Sequence, residues 1–238
     1  MLVVSRERPF LREQSLNRVP VSCMVYANAD ASMIIVPEDS CSVTVGETLR
    51  VEVQNVFDGD GFLGRLWHPR ESQWAERVPF RLAFIDAPET DQQSGREARE
   101  FLAELIADKT VELVPIAKGT TAPTLLDTYR RMLCVPYLAR TLEPGRVDYY
   151  HSGKHCSGMV QRSRSVIRNI ELEMVVNGWA WVLRQYAFDQ EAEYLAAEDD
   201  ARRHRRGLWA INNPEPPWRF KGRKKRMQVS REGQSALL

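Results

Sequence analysis

The 238-residue chain lacks any apolar run approaching the roughly 18 residues that a membrane-spanning helix requires, so no membrane partner is expected. It is also poor in cysteine. Cys23, Cys41, Cys134 and Cys156 are scattered, which removes the close spacing of a zinc ribbon or a redox Cys-x-x-Cys pair. His151, His155 and Cys156 do sit together, and a polar loop explains them better than a metal site. Neither sign of charge dominates, with 33 basic against 32 acidic residues and a formal net charge of +1. Bulk charge therefore selects no partner, and only its distribution can. What the chain does have is 43% hydrophobic residues over a length that buries one good core rather than two large ones.

Three parts are expected along the chain. Residues 1–44 read as a poorly structured leader or weak signal segment, 45–212 as one folded domain with an insertion at 139–168, and 213–238 as a proline-rich and then basic tail. An export signal near residues 19–29 is a weak reading, because its apolar stretch is short, carries Pro20 and Ser22, and follows acids. The compartment is therefore unknown. Met24 or Met33 is an alternative start.

Leu49, Val51 and Val53 alternate with Arg50, Glu52 and Gln54, the period of a half-buried strand that runs into Asp58-Gly59-Asp60-Gly61. Asp-Gly is a common hairpin signal, and two carboxylates on a turn relaxed by glycine also suit a hard cation such as calcium. A second strand at 62–67 and a polar excursion at 69–76 lead to residues 81–89, Arg-Leu-Ala-Phe-Ile-Asp-Ala-Pro-Glu. Here a buried strand delivers Asp86 and Glu89 at its exit, with Arg81 at its entrance. On a flat strand Arg81 and Asp86 face opposite ways, so they serve one site only if the strand is strongly coiled.

Ser94 and Glu97 read as a capping box for a helix with Ala98, Phe101, Leu102, Leu105 and Ile106 on its core face. A strand at 110–114 and a loop at 117–126 precede Asp127-Thr128-Tyr129-Arg130-Arg131 and a further strand at 132–138. Adjacent arginines at a strand entrance are a solvated edge or, beside a carboxylate-metal site, phosphate ligands. Asn169 is expected to cap a helix that turns Leu172, Val175, Val176 and Trp179 to the core and ends near Gly178. Asp189 is expected to cap a last helix with Glu191, Glu193, Glu198 and Asp199 early and Arg202, Arg203, Arg205 and Arg206 late. That order suits the helix dipole and gives those arginines a structural role. Residues 218–226 carry six bases and no acid, as a polyanion-binding or a solubilising tail would.

The order of Asp-Gly-Asp-Gly at 58–61, the 81–89 stretch, Asp-Thr-Tyr-Arg-Arg at 127–131, Asn-Gly-Trp-Ala-Trp-Val at 177–182 and Arg-Arg-Gly-Leu-Trp at 205–209 resembles the staphylococcal nuclease (thermonuclease) family. The resemblance covers residues 46–209. It implies a mainly β with α (α+β) fold, a five-stranded Greek-key OB-type barrel with about three packed helices. It also implies that Asp60, Asp86 and the backbone carbonyl of Ala87 ligate Ca2+. By the same carry-over Glu89 positions or deprotonates the attacking water, Arg81 and Arg131 hold the phosphate, and Tyr129 and Tyr186 line the nucleotide pocket. Gly61 and Ala87 stand where the family has threonine, Arg130 where it has glycine, and Arg184 where it has tyrosine. Arg130 either strains its turn or adds a phosphate contact, and Arg184 alters nucleotide stacking, so both join the expected substrate-binding set. The insertion brings Lys154, Arg162, Arg164 and Arg168, either a basic track toward substrate or a solvated surface.

The implied activity is that of a calcium-dependent phosphodiesterase, a thermonuclease-like endonuclease hydrolysing DNA, RNA or both as a monomer, on single-stranded or unpaired chains. The residues are apt for it. Anionic phosphodiesters resist attack by water, so a catalyst must offset charge on the nonbridging oxygens and supply an oriented nucleophile. The alternative is a non-catalytic nucleic-acid-binding module of the same fold, and a weaker one is a protein-interaction module. Glu89 separates the first reading from both, since binding alone has no use for a water-orienting acid.

Overall fold

A computed structural model describes residues 24–27, 33–36, 48–68, 72–117, 125–151 and 154–235. Two short strands, β1 (Met24–Ala27) and β2 (Met33–Val36), are followed by β3 (Leu49–Val56), β4 (Gly61–His68), β5 (Gln73–Leu82) and β6 (Ile85–Asp86). Next come α1 (Gly95–Ile106), β7 (Thr110–Pro115), β8 (Met132–Leu142), β9 (Gly145–His151), β10 (Lys154–Val160) and β11 (Arg164–Asn169). The chain continues through α2 (Ile170–Val176), β12 (Trp181–Val182), α3 (Glu191–Arg203), a 3-10 turn (Gly207–Ala210) and α4 (Pro217–Ser235).

Strands β8, β5, β4, β3 and β7 pair in that order, and β7 returns to β8, which closes a five-stranded barrel. Only β5 and β8 run parallel within it. With its helices this is the OB-type α+β fold that the resemblance implies. Register shifts at Val53/Asn55 in β3 and Arg65/Trp67 in β4 supply local bends of the kind a small barrel needs. The inward positions are apolar: Val51, Val53, Phe62, Phe80, Leu82, Val111, Leu113 and Cys134 are buried. Phe62 and Phe80 are register partners and stack with centroids 5.1 Å apart.

The helices close the core. α1 buries Ala98, Phe101, Leu102, Leu105 and Ile106, the expected face. Its start departs from the capping box. Ser94 lies at φ 66° with no side-chain cap bond, because the chain folds back so tightly that a Cβ on Gly95 would collide with the Glu89 carbonyl. Asn169 caps α2 as expected, accepting from the Leu172 amide at 3.0 Å. α3 begins after Gln190 rather than Asp189, again without a side-chain cap bond, and keeps acids in its first turn and Arg202 and Arg203 in its last. Its arginines are structural: Arg202 pairs with buried Glu198, and Arg203 and Arg206 with buried Asp200.

Outside the barrel, the insertion is mostly strand. β8 runs on to Leu142 and pairs with β11, while β9 and β10 form a hairpin. His151 and His155 therefore lie on strands and not in a polar loop. β1, within the first 44 residues, pairs with β2 and touches β9 at Val25 and Asp148, giving a second sheet in the order β10, β9, β1, β2. Except for β1, the export-signal reading at 19–29 lies outside the described residues. The basic tail supplies a fourth helix, α4, beyond the expected three. No helix among the described residues is long and apolar enough to cross a membrane.

Candidate active site

The stretch at 81–89 is not one continuous strand. β5 ends at Leu82, the chain bends at Ala83 and Phe84, and β6 restarts at Ile85 against β12. Three contacts hold the bend: the Ala83 amide donates to the Cys134 carbonyl, the Phe84 amide to the Glu171 carboxyl at 2.6 Å, and the Leu183 amide to the Phe84 carbonyl. The bend removes the parity conflict between Arg81 and Asp86. One Arg81 Nη lies 3.0 Å from Asp86 Oδ1 and the other 2.7 Å from Asp60 Oδ1.

Asp60 arrives from the turn between β3 and β4. Its amide donates to Asp58 Oδ1 and its carbonyl accepts from the Leu82 amide, which pins the turn to the end of β5. Asp60 Oδ2 accepts from the Ala87 amide at 3.1 Å. Gly59 serves close approach here, since a Cβ would stand 2.6 Å from that of Ala87 and 2.9 Å from that of Ala98. The first glycine thus seats the turn against both β6 and α1.

Asp60 and Asp86 are 2% and 5% exposed. Burial pushes both carboxyls above the usual range, while Arg81 and Lys221 pull against it. Burial also works against the charge on Arg81, but the two aspartates outweigh it and hold the guanidinium firmly protonated. Glu89 is more open, with its side chain 34% exposed. Its neighbour is a residue that the sequence does not single out. Lys221 of α4 places its ammonium 2.8 Å from Glu89 Oε1 and 3.0 Å from Asp86 Oδ1. The only sequence signal for it is the basic run at 218–226.

Arg131 is held differently. Its Nε and amide donate to Asp127, and its guanidinium lies 5.4 Å from the centre of the Tyr129 ring. Leu133 is the β8 partner of Arg81, and Arg131 stands one residue before β8, at the entrance of the strand that lies beside β5. Tyr129 is 78% exposed beside it. Arg130 adopts φ 62°, the left-handed conformation in which its replacement of glycine is strained. Tyr186 is exposed on the segment between β12 and α3, where Arg184 pairs with Glu198 of α3.

Asp60, Asp86, Glu89 and the Ala87 carbonyl offer only oxygen, the ligand type that calcium takes, and the two buried aspartates converge on a single guanidinium. The donor chemistry fits a hard divalent ion. Among the described residues, no group of three or more His, Cys, Asp or Glu side chains is already arranged to hold a metal. Arg81 and Lys221 both contact Asp86 Oδ1, so these two cations take part of the coordination that an ion would need.

Residues 79–211 match the family model described as staphylococcal nuclease homologue. The chain is 33% identical over 144 residues to an uncharacterized endonuclease of Haemophilus influenzae, covering 60% of each chain. It is 31% identical over 183 residues to a micrococcal nuclease of Shigella flexneri, covering 76% of this chain and 84% of that one. A probable staphylococcal-like nuclease of Oryza sativa subsp. japonica is 31% identical over 161 residues, which is 68% of this chain. The match thus spans 60% of the length of the Haemophilus protein and 25% of the rice protein.

Proposed function

The chain belongs to the staphylococcal nuclease family, and from that premise we propose that it hydrolyses phosphodiester bonds of nucleic acid with calcium held by Asp60, Asp86 and the Ala87 carbonyl. The observation that carries this reading is the Arg81 guanidinium bridging two buried aspartates at 2.7 and 3.0 Å, with Glu89 at the same locus through Lys221. A cation-binding pair of acids, a phosphate-binding arginine and a spare carboxylate then share one site.

Bound calcium would polarise a nonbridging phosphoryl oxygen. Arg81 and Arg131 donate N–H groups to the phosphate, and these bonds strengthen as charge accumulates in the transition state. Glu89 is exposed enough to meet water, which it orients or deprotonates. Tyr129, open to solvent next to Arg131, offers a ring on which an unpaired base can stack, as Tyr186 does farther along. These features favour single-stranded or unpaired DNA or RNA as the substrate. Arg130 projects from the same turn as Arg131 and adds a phosphate donor, whereas Arg184 is engaged by Glu198.

The alternative, a binding module that does not cut, draws its support from the Lys221–Glu89 pair, which engages the acid that water would need. Digestion of labelled single-stranded DNA with calcium and then with chelator separates the readings. Cleavage only with calcium is expected. Cleavage that ignores the chelator rejects the metal assignment, and binding without cleavage in either condition favours the alternative.

A further inference from the structure

We infer that Lys221 belongs to the metal site as a tethered cation that competes with the divalent ion for Asp86 and Glu89, and that α4 is released from the site when the ion binds. The inference rests on the metal reading above. Lys221 approaches Asp86 Oδ1 and Glu89 Oε1 together, so its ammonium stands between the two acids.

The helix that carries it is built onto this face. The Gln92 side-chain amide donates to the Glu215 carbonyl at 2.5 Å, Arg223 pairs with Glu215 across the helix start, and Trp218 meets Trp181 of β12 edge to face. One turn beyond Lys221, Lys224 pairs with Asp91 at 2.6 Å. Lysines three residues apart lie on one side of a helix. A basic helix side thus faces an acidic strip formed by Asp86, Glu89 and Asp91.

An ammonium and a calcium ion cannot take the same oxygens at once. The ammonium is a point charge with three rotatable donors and sets no coordination geometry, whereas calcium requires about six to eight oxygens near ~2.4 Å. Two cations sharing Asp86 Oδ1 would also repel at close range. Ion binding therefore ejects Lys221, and with it go two of the ion pairs that tie the first turns of α4 to the barrel. Asp60 escapes this competition, because Arg81 and the Ala87 amide are its partners.

The test uses the full chain and calcium alone. Calorimetric titration is expected to give Lys221→Ala at least tenfold tighter calcium binding than the parent, with Arg219→Ala, which removes the same charge from an exposed residue on the opposite side of α4, binding like the parent. Amide hydrogen exchange over α4 in the parent is expected to accelerate on adding calcium. In Lys221→Ala it is expected to be fast from the start and unchanged by calcium. Equal affinities in parent and Lys221→Ala, or α4 protection in the parent that calcium does not alter, would overturn the inference and leave the metal reading standing. Absence of calcium binding in both proteins would remove the metal reading and this inference together.

Discussion

Arg81 donates to Asp86 at 3.0 Å although the two residues would leave an unbroken strand on opposite faces. The bend at Ala83 and Phe84 makes the contact, and the same guanidinium compensates Asp60. Arg81→Met is therefore expected to leave two buried carboxylates without their main partner. Removing one member of a buried charge pair costs about 3–5 kcal/mol. Urea unfolding at neutral pH measures it, and a loss below about 1 kcal/mol would show that Arg81 does not hold the aspartates together.

Glu89→Gln tests the chemistry with little disturbance, since the side chain is near isosteric and partly exposed. Loss of a positioned acid or base is expected to slow cleavage of single-stranded DNA by about 10²–10⁴-fold. Binding measured by fluorescence anisotropy should stay close to that of the parent. Matching cleavage rates for mutant and parent would take Glu89 out of the mechanism.

Arg130 occupies φ 62° in the turn that Asp127 organises through the Tyr129 and Arg131 amides. A non-glycine residue in this region is strained by about 1–2 kcal/mol, and glycine gives back part of that through its freer unfolded chain. Arg130→Gly is expected to gain about 0.5–1 kcal/mol, seen as a rise in Tm, while weakening the affinity for a short oligonucleotide. A lower Tm would mean that the Arg130 side chain makes a stabilising contact that outweighs the strain.

The barrel strands are legible in the sequence because their apolar positions alternate, as Val51 and Val53 do, and α2 is legible because Asn169 caps it by its side chain. The positive φ at Arg130 is legible only through the family resemblance, which puts a glycine at that position. Other features are not, because tertiary contacts decide them. Ser94 fails to cap α1 since Gly95 must abut Glu89, and the break in the 81–89 stretch depends on Cys134, Glu171 and Leu183, which no local pattern links to it. Lys221 is hidden for the same reason, lying 135 residues from Asp86 in a run that reads as a solvated tail.

Glu171 sets a stability-versus-pH signature. It is fully buried in the first turn of α2, accepting from the Phe84 amide at 2.6 Å and from the Tyr194 hydroxyl at 3.1 Å. Burial pushes its carboxyl up to about 8, even though those two hydrogen bonds oppose the rise. The folded protein therefore keeps a proton that the unfolded chain releases near the ordinary glutamate value of about 4.3. Below that value the carboxyl is neutral in both states and exerts no pH dependence. Between there and about 8 the folded state binds more protons, so stability falls as pH rises and levels off above. A tenfold difference in proton affinity between the folded and unfolded chain corresponds to about 1.4 kcal/mol, which makes the expected fall a few kcal/mol. Glu171→Gln keeps an oxygen for Phe84 and has nothing to ionise. Unfolding free energies at pH 5 and pH 8 should thus differ less in the mutant than in the parent, with the mutant the more stable at pH 8. Parallel pH profiles for the two proteins would show that Glu171 is ionised in the folded state, with its charge met by Arg81 and the bend it supports.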